Sequence, residues 1–378
     1  MQFGTKLIHN GNEIDEHTGA LSIPIYHAST YHQKDIDTPQ AFEYSRSGNP
    51  TRKALEETIA ILEGGDAGLA FASGMAATSS ALAIFSAGDH MIVCEDVYGG
   101  TYRVFNSIFK RFGLEATFVN AGDLSCIRKA VRSSTKAIFL ETPSNPLLKI
   151  TDIKGAVAIA REHNLLTLID NTFMSPYLQR PIDLGVDIVI HSATKFIGGH
   201  SDVLGGLIAV KGSDLARRVY STQNGFGAVL GPQDSWLLLR GLKTLKVRLD
   251  AQQQSAGILA EWLVQQSAVA QVFYPGLTSH EGYMTHHQQS DGAGAVLSFK
   301  THNVEQARQF MKKVELAAVA VSLGGVETIV SYPVTMSHAA MPKEERDRLS
   351  ITDNLVRVSV GLEDVNDLIG DFQRALGV

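Results

Sequence analysis

Seven short apolar runs separated by helix-like segments constrain this chain more than any other feature. They lie at 68–72 (GLAFA), 90–94 (HMIVC), 115–119 (EATFV), 136–141 (KAIFLE), 166–170 (LTLID), 187–191 (DIVIH) and 206–210 (GLIAV). Between most of them the apolar spacing becomes helical, as in GMAATSSALAIFSA and TDIKGAVAIAREHN. Strands alternating with helices of that length predict an α/β fold with a mostly parallel, seven-stranded sheet. In such a sheet a ligand binds beyond the carboxyl ends of the strands. That rule directs attention to Ser73–Met75, Glu141–Asn145, Asp170 and Lys195.

The chain has 378 residues, 44% hydrophobic and 19% charged, enough for about two domains. Residues 1–50 carry Pro24, Pro39 and Pro50 and little periodicity, which predicts an arm lying on another surface, most naturally a neighbouring subunit. Residues 51–240 hold the strand and helix alternation. From 241 to 378 the pattern becomes one of long helices, a short strand near AVLSFK and a closing amphipathic helix in DVNDLIGDFQRAL, a smaller α+β domain.

The stretch DIVIHSATKFIGGHSDVLGG, Asp187 to Gly206, reads as a buried strand that delivers one lysine, Lys195, into a cleft. Ser192 and Thr194 stand within three residues of it, and Gly198 and Gly199 let backbone approach a ligand closely. This suits a cofactor carrying both a phosphate and an aldehyde, and pyridoxal 5′-phosphate (PLP) is such a cofactor. FASGMAA ends a strand and opens an alanine-rich helix, so the N–H groups of Gly74 and Met75 suit an anion, although SGM alone is merely a helix start. Arg46 adds a charge with fork geometry.

Asp170 follows the apolar run LTLI and suits a pyridinium nitrogen, which an aspartate keeps protonated; a turn or N-cap role is the competing reading. Tyr98 in DVYGGTYR is placed to stack on a ring and move a proton, or simply to pack a loop. Arg357 alternates with apolar neighbours along a strand and needs a carboxylate, which an amino acid substrate has.

Other chemistries lack their spacing. A net charge of −6 without a basic stripe excludes a nucleic-acid surface. No apolar run reaches a membrane span and the N-terminus lacks a signal-peptide core, so a cytoplasmic protein is expected. Two cysteines are too few for a disulfide framework, and Cys94 is expected in the core. There is no GxGxxG after a strand, no GxxxxGK[ST] and no complete nucleophile elbow. SHEGYMTHH lacks HExxH spacing, is read as an exposed loop and predicts no metal site.

In order along nearly the whole chain, YSRSGNPTR, FASGMAA, DVYGGTYR, ETPSNPLL, LIDNTF, HSATKFIGGHSD, GPQDSWLLLRGLKTL and SLGGVET resemble the Cys/Met metabolism PLP enzymes, which include cystathionine lyases and synthases and methionine γ-lyases. The resemblance implies the aspartate aminotransferase-like fold of type I. It also implies a homotetramer, a dimer of dimers with active sites at the dimer interface. By it, Lys195 binds the cofactor covalently, Asp170 pairs with the pyridinium and Tyr98 stacks on the ring. Gly74, Met75, Ser192 and Thr194 hold the phosphate, joined by Tyr44 and Arg46 from a neighbouring subunit.

By the same resemblance Asn145, Ser322 and Arg357 receive the substrate carboxylate and the cofactor's ring oxygen. The expected substrate is an amino acid thioether: L-cystathionine, split by α,γ-elimination with some α,β-elimination and cysteine desulfhydration. β-Lyase, γ-synthase and methionine γ-lyase activities are the alternatives, with a non-catalytic PLP-binding protein more remote. Before SLGG the γ-enzymes typically carry glutamate and the β-lyases tyrosine, whereas this chain has Val321, as methionine γ-lyases do. Gly100, Gln223 and Asn224 instead resemble the bacterial cystathionine lyases.

Overall fold

Seven strands, β1 (Ala67–Phe71), β2 (His90–Cys94), β3 (Glu115–Val119), β4 (Thr135–Glu141), β5 (Leu166–Asp170), β6 (Ile188–Ser192) and β7 (Gly206–Val210), form one sheet. Their order is β1-β7-β6-β5-β4-β2-β3 in a computed structural model that describes residues 1–339 and 341–378. β7 runs antiparallel to both its neighbours, β1 and β6, and the remaining pairs are parallel. The central strands are covered on both faces, which explains their unbroken apolar runs: Ile92, Val93, Ile138, Phe139 and Ile188 to Ile190 are fully buried. The strands lie within a residue of their expected places, and β6 carries Ser192 at its end rather than beyond it.

Local sequence sets the helix ends. Asn49 caps the helix Pro50–Glu63 by accepting from the N–H groups of Thr51 and Arg52, and Gly64 closes it in the left-handed conformation at φ 79°. Ser73 opens the helix Gly74–Leu82 in the same way, its hydroxyl accepting from Ala76 N–H. The segment beyond Gly231 divides into helices Pro232–Leu242 and Leu245–Val264, which meet at Lys243 and Thr244.

The second sheet contains β8 (Val269–Phe273), β9 (Val296–Thr301), β10 (Ala318–Val319), β11 (Ile329–Ser331) and β12 (Leu355–Ser359), ordered β10-β11-β12-β9-β8. Helices Val304–Lys313 and Val365–Leu376 pack against its own apolar core, which includes Phe299, Phe310 and Phe372. A further cluster joins the two sheets around Ala193, Phe196, Ile197, Leu238, Leu242 and Leu249.

Two local expectations need correction or refinement. SHEGYMTHH is not an exposed loop: Tyr283–Gln289 is a helix, and His286 is completely buried with Nε2 donating to Gly292 O at 2.9 Å. Burial pushes that imidazole down to about 4, so it stays neutral. The arm contains a short helix, Phe3–His9, whose Leu7 joins the core around Leu55 and Ile59. Beyond it the arm has one isolated bridge, Thr30 to Tyr44, and leaves Leu21 and Ile36 exposed. Cys94 packs within the large core as expected. Among the described residues, no helix is long and apolar enough to cross a membrane.

Candidate active site

The carboxyl ends of β1, β4, β5 and β6 and the start of β7 border a cavity of about 500 Å³, within the range of small-molecule sites. Gly74, Met75, Tyr98, Asn145, Asp170, Ser192, Thr194, Lys195, Val321, Ser322 and Arg357 all line it. Tyr44 and Arg46 do not. Arg46 instead donates to Asn224 O at 3.0 Å, and its guanidinium sits 5.6 Å from the Tyr44 ring centre.

Lys195 follows the strand end on a turn closed by Gly199 N–H to Lys195 O, 2.8 Å. Its Nζ donates to Ser322 Oγ at 2.7 Å. Burial, reinforced by the positive charge of Arg357 and opposed by Asp170, pushes the amine from 10.5 down to about 8. Ser322 is held at φ 89°, a conformation uncommon for any residue but glycine, and its carbonyl accepts from Arg357 Nη2 at 2.6 Å. The same residue therefore meets the lysine with its side chain and the arginine with its backbone.

Arg357 is 2% exposed and pairs with no carboxylate among the described residues. Nη1 donates to Asn145 Oδ1 and Nη2 to Ser331 Oγ, each at 3.0 Å, while Nε is buried without a partner. Burial lowers even this guanidinium to about 10. A buried cation with a free donor, facing a cavity, suits a carboxylate ligand.

At the opposite wall Ser73 uses its hydroxyl on Ala76 N–H and its carbonyl on Ala77 N–H. The N–H groups of Gly74 and Met75 are left without intrahelical partners at the positive end of the helix. A Cβ at Gly74 would stand 2.9 Å from Ser192 Cβ, and one at Gly206 would stand 2.1 Å from Ser73 O. Glycine at both positions brings helix start and strand end together into a cradle of anion size. Thr194 Oγ1 accepts from Gly205 N–H at 3.1 Å, which orients that hydroxyl at the rim.

Asp170 Oδ1 accepts from Thr172 N–H at 3.0 Å and from Thr172 Oγ1 at 2.5 Å, and Thr172 Oγ1 in turn accepts from Ser192 N–H at 2.8 Å. Parallel register places Glu141 directly beside Asp170. Burial and the neighbouring Asp170 carboxyl push Glu141 well above the usual carboxylate range, and burial raises Asp170. Glu141 Oε2 also accepts from Tyr98 N–H at 2.8 Å, fixing the start of the helix Gly99–Ser107. Tyr98 itself is half-exposed, and Gly100 makes room for its ring: a Cβ there would lie 2.5 Å from Tyr98 Cε1 and 2.9 Å from Met75 Sδ.

The anion cradle, the buried lysine, the acid at the far strand end and the unpaired arginine together form a donor set that fits PLP and an amino acid carboxylate. Residue reasoning had located Glu141 at a strand end without giving it a role. It missed Thr172, although the two-residue spacing from Asp170 is a signature of an Asx turn. It also missed Met336, Ser337 and Ala339, which reach the cavity from a loop with no periodic signal.

The family model for the Cys/Met metabolism PLP-dependent enzyme matches residues 4–377. Cystathionine β-lyase MetC of Bacillus subtilis (strain 168) is 57% identical over 372 residues, covering 98% of this chain and 95% of that protein. Cystathionine γ-lyase of the same organism is 47% identical over 376 residues, covering 100% of this chain and 99% of that protein. The crystal structure of cystathionine γ-lyase from Lactobacillus plantarum complexed with L-serine superimposes with a TM-score of 0.98 at 46% identity, covering 100% of this chain and 99% of the other. With the family model matched almost end to end, this chain belongs to the Cys/Met metabolism PLP-dependent enzyme family.

Proposed function

We propose that this protein is a PLP-dependent carbon–sulfur lyase acting on L-cystathionine. The observation that carries the reading is the Lys195 amine, lowered to about 8, in one cavity with the Asp170 carboxyl and the buried guanidinium of Arg357. Held by these residues, PLP would supply an electron sink for the pair left at the substrate Cα.

Arg357 and Asn145 hold the substrate carboxylate, orienting the Cα–H bond toward Lys195. Lys195, neutral above about pH 8, removes the Cα proton. Asp170 would pair with the ring nitrogen of the cofactor, and Thr172 holds that carboxyl in place. Gly74, Met75, Ser192 and Thr194 would hold its phosphate. Tyr44 and Arg46, outside the cavity of their own chain, are assigned to the cavity of a neighbouring subunit in a homotetramer. Loss of a second proton from Cβ expels the γ-sulfur, which Tyr98 or Lys195 protonates; with water the products are cysteine, 2-oxobutyrate and ammonia.

A second reading has a specific observation in its favour, the 57% identity to a protein named cystathionine β-lyase. Expulsion of the β-sulfur would yield homocysteine, pyruvate and ammonia. The keto acid released from L-cystathionine, with methionine in parallel, separates the two. We expect mainly 2-oxobutyrate; pyruvate would establish β-cleavage instead. Comparable release from methionine would mean that Val321, which is exposed at the cavity edge and bears no charge, admits thioethers without a distal ammonium. No keto acid from either would favour γ-replacement of an O-acyl homoserine.

The Tyr98 role has its own test. In Gly100→Ala the new methyl must displace the ring or Met75, so kcat is expected to fall by about ten-fold while thermal stability holds within a few degrees. An unchanged kcat would free Tyr98 from the proton-transfer role.

A further inference from the structure

Two fully or nearly fully buried polar side chains lie one turn apart on the helix Leu245–Val264: Arg248, 3% exposed, and Gln252, 0% exposed. Residues four apart share a helix face, so both point to the same side. Neither lines the active-site cavity.

Arg248 has no carboxylate partner among the described residues, and burial lowers its guanidinium to about 10. A buried unpaired cation is costly to keep, which asks what it holds. Nη1 donates to Phe196 O at 2.8 Å, Nη2 to Gly241 O at 2.9 Å, and Nε to Thr244 Oγ1 at 3.1 Å. Phe196 is the residue after Lys195. The guanidinium also fills the space beside Gly199, where a Cβ would stand 2.2 Å from Nη1. Arg248 thus braces the turn that presents the lysine.

Gln252 faces the other half of the site. Its Nε2 donates to Gly325 O at 2.8 Å and to Val360 O at 3.0 Å. Gly325 is three residues beyond Ser322, and Val360 is three beyond Arg357. Between the two braces the loops themselves touch: a Cβ at Gly324 would lie 2.6 Å from Phe196 N, and Gly324 N–H donates to Ser359 Oγ at 2.8 Å.

We propose that Arg248 and Gln252 are positioning residues that form a two-point clamp on one helix turn, setting the Lys195 turn of the large sheet against the Ser322 and Arg357 elements of the small one. The inference rests on the roles given above to Lys195 and Arg357. It makes the separation of amine and guanidinium a property of this helix rather than of the cavity walls. The two members act on different readouts because each braces a different half.

The test uses the holoenzyme of Gln252→Leu and Arg248→Lys, with thermal unfolding run on both. Gln252→Leu leaves the carbonyls of Gly325 and Val360 without donors and releases the arginine side, so KM for L-cystathionine is expected to rise by about ten-fold or more with a smaller change in kcat. The visible band of the bound cofactor and its borohydride fixation on Lys195, read by mass spectrometry, should match wild type. Arg248→Lys keeps a charge but loses the fork, so the pH midpoint of the visible band should shift and fixation should slow while KM changes little. Gln252→Asn, too short to span both carbonyls, replaces Gln252→Leu if the latter does not fold. KM and kcat at wild-type values in the folded Gln252 variant would overturn the clamp, whatever its melting temperature. So would loss of KM and of cofactor fixation to the same extent in both variants. Failure of borohydride to fix cofactor on Lys195 in the wild-type enzyme would instead remove the lysine assignment itself, separately from the clamp.

Discussion

Replacing Lys195 by alanine is expected to reduce turnover of L-cystathionine by about three to four orders of magnitude in a protein that still folds. Among the described residues Lys195 is the one lysine that lines the cavity, and alanine there deletes the amine and its hydrogen bond to Ser322. Borohydride should no longer attach the cofactor to the peptide containing position 195. The pH dependence of the wild-type protein supplies an internal check. A lysine lowered from 10.5 to about 8 becomes neutral at a lower pH than an ordinary one, so capture of PLP by the apoprotein should accelerate with pH and level off above about 8. The sign for stability agrees. Because the native state releases this proton more readily than the unfolded chain, the group's destabilising effect is fully present below about pH 8 and fades as pH rises toward 10.5. Near-normal turnover in the alanine variant, or a capture midpoint near 10.5, would sink the assignment.

The second large effect is expected at Arg357. Substitution by leucine removes, among the described residues, the only buried cation that lines the cavity with an unpaired donor, so a substrate carboxylate loses a charge-assisted, forked partner. An interaction of that kind is worth about 3–4 kcal/mol when one partner is deleted, or a few hundred-fold in kcat/KM. The loss should appear mainly in KM. Thermal stability should change in the other direction or hardly at all, because an arginine buried without a carboxylate carries a desolvation cost that leucine does not, set against three lost hydrogen bonds. A variant that loses stability and kcat together, with KM unchanged, would show Arg357 to be a structural element rather than a carboxylate receptor.

Legibility in the sequence followed physical range. Each strand of the large sheet is a local apolar run, and burial on both faces rewards such a run irrespective of its partners, so all seven were visible. Gly74, Lys195 and Asp170 sit at strand ends, where the parallel topology itself predicts a ligand. Strands β8 and β10 were not visible, because β8 alternates imperfectly at a sheet edge and β10 spans only Ala318 and Val319. The helix Tyr283–Gln289 was hidden by its two histidines: polar rings suggest solvent, yet burial keeps His286 neutral while its Nε2 donates to Gly292 O.

The sequence by itself determined the fold class, the cofactor chemistry and many of the residues that border the cavity, because each of these is written in short stretches whose meaning depends on neighbours a few residues away. The tertiary structure alone decided how those stretches act on one another. Glu141 meets Asp170 only through the register of β4 and β5, and that proximity raises Glu141. Lys195 meets Ser322 across 127 positions, and Arg357 meets Asn145 across 212. Arg248 and Gln252, ordinary in any reading of a helix, become braces because their face is turned toward two loops from different sheets. Charge, burial and hydrogen bonding vary over a few ångströms in space, and no pattern along a chain records which distant residues the fold will bring that close.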